Sequence, residues 1–233
     1  TFEEEDTPCD PQSPTFVHTN SSYNEISTPT YYLGDKAYFK STINCCLTGN
    51  WSKTGTGTYK TLTGGTPNFY LTLSSVGSFT LTNAATDGCD GSTSPSISFT
   101  TNDLPAPTSQ SGTGSTTSAT LNWTPNNTYK TVMVVRYAKD AAVTAPTQGT
   151  AYTAGSSKIG NGTVVYKGTG TSYTNTGLTA GSSYDYYFYT VNNNYYSAGV
   201  KTTVSTCTSL TAPTLTITPI TECNNTYTSG KIV

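Results

Sequence analysis

The six cysteines, Cys9, Cys45, Cys46, Cys89, Cys207 and Cys223, are the side chains of this 233-residue sequence best suited to covalent chemistry. Their spacing holds no CxxC pair, and His18 is the only histidine, so the pattern of a zinc site is missing. An even number of cysteines in a polar chain reads instead as disulfides formed in an oxidising, extracellular setting. Four of them precede residue 100 and two flank position 215, so bridges within those groups are expected, Cys207 with Cys223 among them. On a strand, Cys45 and Cys46 point to opposite faces and must reach different partners, one Cys89 and the other Cys9. The sequence leaves open which takes which.

Catalytic patterns do not assemble. A nucleophile–histidine arrangement would have to use His18, which lies in Thr15-Phe16-Val17-His18-Thr19, a strand-like segment with no GxSxG elbow elsewhere. No GxxxxGK[ST] loop is present to cradle phosphate. Outside the acidic start (Glu3, Glu4, Glu5, Asp6, Asp10) the carboxylates are sparse, which argues against a glycosidase pair. Asp87 and Asp90 flank Cys89 in a glycine-rich turn, where turn chemistry accounts for them. The alternative for Glu3, Asp87 and Asp90 is a structural calcium site, because hard cations want clustered oxygens. Calcium is the only cofactor the sequence suggests. The chain reads as a non-enzyme.

The aromatic residues are the remaining candidates for recognition. Tyr187, Tyr189, Tyr195 and Tyr196 could form an outward stacking patch for glycans or a protein partner. The competing reading places them in a core or at a domain interface. Asn-x-Ser/Thr sequons, including those at Asn20, Asn50, Asn122 and Asn161, occur about as often as chance predicts and carry no weight.

The elements that must position these residues are strands. Charged residues are only 10% of the chain, and serine, threonine, asparagine and glycine take their place beside 18 tyrosines. Such a composition favours strands and turns over helices. A net charge of −2 with scattered lysines gives no field for nucleic acid. No stretch reads as a signal peptide or a membrane span, so membrane insertion is not expected and any targeting segment would lie outside this sequence.

Residues 1–103 form one unit, with strands expected at Lys36–Cys46, Gly57–Leu62, Phe69–Leu73, Ser78–Thr82 and Ser96–Thr100. Asn102-Asp103-Leu104-Pro105-Ala106-Pro107 reads as a linker, its prolines ending any preceding pairing. Residues 104–209 form a second unit. There Ala119, Leu121 and Trp123 alternate, and Thr131–Tyr137 is an apolar run suited to burial on both faces. Thr163–Lys167 and Ser172–Thr176 are further strands. In the next, Tyr184, Tyr186 and Phe188 share one face, and Asp185, Tyr187 and Tyr189 the other. Residues 210–233 read as the linker and first strand of a further domain, or as a tail that docks on a neighbouring copy.

Trp123 on an early strand, with Leu178 six residues before Tyr184, resembles a fibronectin type III domain. The resemblance implies a sandwich in which the Tyr184 hydroxyl bonds back to the main chain. The runs Val134-Val135-Arg136, Ala145-Pro146-Thr147-Gln148-Gly149-Thr150-Ala151-Tyr152, Gly160-Asn161-Gly162-Thr163-Val164-Val165-Tyr166 and Leu178-Thr179-Ala180-Gly181 resemble repeats in large secreted proteins of Bacteroidota-type bacteria. Such repeats accompany adhesins and hydrolases exported by the type IX route. The first unit resembles jelly-roll or Ig-like sandwiches. The expectation is therefore an all-β chain of tandem β-sandwich domains, extracellular or on the cell surface, structural or adhesive and possibly filament-forming. Its expected partners are other domains of the same protein or neighbouring subunits. The alternative is a carbohydrate-binding accessory region of a secreted hydrolase.

Overall fold

The computed structural model describes residues 15–41, 47–64, 68–85 and 96–209, and among these it contains strands and turns with no helix. Cys9, Cys45, Cys46, Cys89 and Cys223, the calcium candidates Glu3, Asp87 and Asp90, and the tail 210–233 lie outside the described residues.

The first eight strands are β1 (Phe16–Thr19), β2 (Tyr31–Tyr32), β3 (Lys36–Ser41), β4 (Leu47–Gly55), β5 (Thr58–Gly64), β6 (Asn68–Ser75), β7 (Gly77–Ala85) and β8 (Ser96–Asn102). They make two four-stranded sheets, β1-β3-β6-β5 and β2-β8-β7-β4. Every pairing is antiparallel except the short parallel β2–β8 contact. Period-2 alternation is why these segments are strands. In β6, Phe69, Leu71 and Leu73 face inward, and in β8 Ile97 and Phe99 do so between exposed serines and threonines. With Phe39, Phe79 and Leu81 they fill the space between the sheets.

The remaining strands are β9 (Thr108–Gly114), β10 (Ser118–Thr124), β11 (Val132–Ala138), β12 (Lys158–Ile159), β13 (Gly162–Gly168), β14 (Ser172–Thr176), β15 (Ser183–Asn192), β16 (Tyr195–Tyr196) and β17 (Val200–Ser205). One sheet has the order β14-β10-β9, the other β12-β13-β11-β15-β16 with β17 on β15. Lettered A, B, C, C′, E, F, G for β9, β10, β11, β13, β14, β15 and β17, these are sheets ABE and C′CFG. That strand order is the fibronectin type III-like arrangement of a β-sandwich. The chain is thus an all-β protein of tandem sandwiches.

The C-terminal sandwich has a core on both sides of its larger sheet. The inner one holds Trp123, Leu121, Val132, Val134, Tyr186 and Phe188, with Leu178 and Val204 at its margin. The outer one holds Met133, Val135, Tyr137, Val164, Tyr189 and Val191. It is roofed by the long excursion between β11 and β13: the Tyr137 hydroxyl lies 3.0 Å from the carbonyls of Thr144 and Ile159. The Tyr196 hydroxyl donates to Thr150 O at 2.6 Å. This roof explains the apolar run from Val132 to Val135, whose side chains are all fully buried. A half-exposed sheet would alternate there.

Candidate functional site

The roof removes the proposed outward aromatic patch. Tyr189 and Tyr196 are 3% and 2% exposed within the outer core, Tyr187 is half-buried against Tyr137, and Tyr195 is 5% exposed at the contact with the N-terminal sandwich. The correction has a physical cause. An apolar sheet face of this size is sequestered rather than left to water, and here residues 139–157 do so. Tyr189 and Tyr196 sit in the outer core and Tyr195 at the contact between the sandwiches.

Trp123 is 3% exposed, against Tyr166 and Phe188 at ring-centroid distances of 5.0 and 5.6 Å. Leu178 is buried beside it. Tyr184 is half-buried rather than buried, at the rim of that core. Its hydroxyl accepts the Thr179 N–H at 3.0 Å, and this bonding to Thr179 holds the phenol below its ordinary pKa. The expected return bond to the main chain is therefore present. Cys207 is an exposed free thiol with its Sγ 3.8 Å from Gly114 O, while its expected partner Cys223 lies outside the described residues. Among the described residues no cluster of three or more His, Cys, Asp or Glu side chains could hold a metal ion.

Among the described residues, polar groups from distant parts of the chain meet at the joint between the sandwiches. It is built from the turn joining β2 to β3, the hairpin joining β15 to β16, and the β10–β11 loop. Asn193 and Asn194 have φ of 49° and 66°, the left-handed pair of a type I′ turn, which asparagine tolerates. That turn aims the Asn192 and Asn193 amides at the N-terminal sandwich. Asn192 Nδ2 donates to Leu33 O at 3.0 Å and to Asp35 Oδ1 at 2.8 Å, and Asn193 Nδ2 donates to Gly34 O at 2.9 Å. Asp35 Oδ2 accepts the Tyr32 N–H at 2.9 Å and the Tyr129 hydroxyl at 2.7 Å. Tyr129 is held in place by Asn126, whose Oδ1 accepts its N–H at 3.1 Å. Burial and the bond to Asp35 both push the Tyr129 phenol well above its ordinary range, so it stays a donor.

Beneath this polar layer sits a small apolar plug. Leu33 comes from the first sandwich, Tyr195 from the second and Leu104 from the linker, with Tyr32 and Tyr129 packed edge-on at 5.6 Å. Gly34, at φ +85°, passes so close to the hairpin that a Cβ would stand 2.5 Å from Asn192 O. The carboxylate is answered by neutral donors alone; the two ion pairs among the described residues, Lys139–Asp140 and Lys201–Asp185, lie elsewhere. With its groups satisfied by one another, the arrangement can hold two bodies in register and offers no group poised to react. Sequence reasoning missed Asp35, Tyr129, Asn192 and Asn193. The triplet Asn192-Asn193-Asn194 between apolar runs is a hairpin signal that could have been read, but what its tip touches could not.

No protein-family model and no curated protein matches the chain. Solved structures do resemble it. A two-domain fibronectin type III segment of chicken tenascin is 16% identical over 84% of this chain and 100% of its own, with a TM-score of 0.40. The FN1–FN3 domains of chicken CNTN1 are 10% identical, over 84% of this chain and 68% of theirs, with a TM-score of 0.36. Domains A168–A170 of titin are 15% identical over 84% of this chain and 66% of theirs, with the same TM-score of 0.36. Likeness at this level concerns fold alone, and the assignment above rests on strand order.

Proposed function

We propose that this chain is a non-catalytic structural or adhesive segment of a secreted or cell-surface protein, in which two sandwiches are held as one strut. The observation that carries this reading is the joint. The polar side chains that meet there, Asp35, Tyr129, Asn192 and Asn193, are spent on fixing two domains together. A short linker with Leu104 buried in the plug adds to this, since domain motion is the default unless an interface is specifically built. The resemblance to Bacteroidota-type repeats and the even cysteine count favour an extracellular setting, with the cysteines oxidised where partners are in reach. The rival reading, a carbohydrate-binding accessory region, loses support because three of the tyrosines it relied on, Tyr189, Tyr195 and Tyr196, are buried and Tyr187 is half-buried. Residual dipolar couplings of the full chain test the strut. Amides of β3, β6 and β8 should share one alignment tensor with those of β11 and β15. Separate tensors would mean that the sandwiches move independently and would overturn the proposal.

A further inference from the structure

The two sides of the joint are unequally self-sufficient. On the C-terminal side the main chain of the hairpin is bonded within its own sandwich. The Asn194 carbonyl accepts the Gly149 N–H at 2.9 Å, and the Gln148 side chain bonds both the N–H and the C=O of Tyr196, at 2.8 and 2.9 Å. The sandwich that carries it has apolar cores on both faces of β11 and β15. On the N-terminal side the turn Tyr32–Asp35 joins the two-residue β2 to β3. The Leu33 and Gly34 carbonyls find their side-chain donors across the joint, and so does the Asp35 carboxylate for all but the Tyr32 N–H. Leu33 and Gly34 are themselves buried, and a buried carbonyl stripped of its donor is costly.

We infer that the N-terminal sandwich is the conditional partner. Its turn 32–35 is ordered by docking on a C-terminal sandwich that stands without it. The coupling free energy is necessarily the same for both sandwiches, so the asymmetry lies in what each retains when the joint opens. The hairpin keeps its own network. The turn keeps its main-chain bonds to Leu73 and Asn102 but loses the donors to two carbonyls. Order at the joint then passes into β8 through the Leu33 N–H to Asn102 O contact at 2.9 Å, and into β6 through the paired Gly34–Leu73 and Leu73–Asp35 bonds, both at 2.9 Å. The C-terminal sandwich acts as an intramolecular template for its neighbour's edge.

This rests on the strut reading, and hydrogen exchange of the full chain tests it separately. The variant Asn192→Ala/Asn193→Gly removes both amides, and glycine preserves the left-handed turn. Peptides covering 31–41 should exchange roughly tenfold faster or more, the loss of three hydrogen bonds, with a smaller rise over 96–102. Peptides covering 132–138 and 183–191 should exchange as in the parent. A second variant, Leu71→Ala, which weakens the N-terminal core, should likewise leave 132–138 protected. Unchanged exchange at 31–41, or equal acceleration of both sandwiches by either variant, overturns the inference. Shared dipolar alignment alongside such a result would show that the strut stands and only its template asymmetry fails.

Discussion

Trp123 and Tyr184 stabilise the C-terminal sandwich by different means, and their variants should differ accordingly. Trp123→Ala empties a site that is 3% exposed and should cost about 3–5 kcal/mol in denaturant unfolding. Its indole N–H finds no hydrogen-bond partner, so Trp123→Phe should keep most of that stability. Tyr184→Phe gives up one hydrogen bond to the Thr179 N–H and should cost about 0.5–1.5 kcal/mol. His18 belongs to the other core. It is buried against Phe39 with Nδ1 3.1 Å from the Tyr31 hydroxyl, and burial lowers its pKa from 6.5. The unfolded chain therefore binds the proton first. Stability is full above about pH 6.5 and falls as the pH drops below it. Equilibrium unfolding between pH 7.5 and 5 should show this decline, and His18→Phe should flatten it. Asp185 acts at lower pH. Burial raises its pKa, but Lys201 at 2.7 Å, Thr203 at 2.6 Å and the Asp140 N–H at 3.0 Å outweigh that and hold it below the ordinary 3.8. Its contribution is present above that value and is lost as the pH falls through the depressed one.

At the scale of elements, the β2–β3 turn is the most sensitive piece of backbone. Gly34→Ala would place a side chain at φ +85° and 2.5 Å from the Asn192 carbonyl. It should cost about 1–3 kcal/mol and shift the unfolding midpoint of the N-terminal sandwich. Strands whose apolar residues alternate were legible in the sequence. The expected Phe69–Leu73 lies within β6, Ser172–Thr176 coincides with β14, and the two faces of β15 divide as expected. Others gave no signal, for physical reasons. β9, Thr-Ser-Gln-Ser-Gly-Thr-Gly, has no apolar residue, because a Cβ at Gly112 would meet Val204 Cγ2 at 2.3 Å and the core comes from its neighbours. β17 offers only Val200 and Val204. β4 is broken by glycines and a register shift, so its sequence reads as turn. The burial of Tyr189, Tyr195 and Tyr196 was one of two readings open in the sequence, because what decides it is a roof and a neighbouring sandwich that period-2 patterning does not encode.

Across the whole molecule, the proposed strut needs only a carboxylate, two asparagine amides, a phenol and a small apolar plug to turn tandem sandwiches into one body. None of these groups announces itself as a site in the sequence, since Asp35 and Tyr129 are 94 residues apart. The claim is tested most directly by the distance between the sandwiches. Spin labels introduced as unnatural amino acids at exposed positions 100 and 174, on β8 and β14, report it through pulsed dipolar spectroscopy. The full chain should give a single narrow distance distribution, and Asp35→Ala/Tyr129→Phe should broaden it. A broad distribution in the parent chain, or one that the double variant leaves unchanged, would contradict the account.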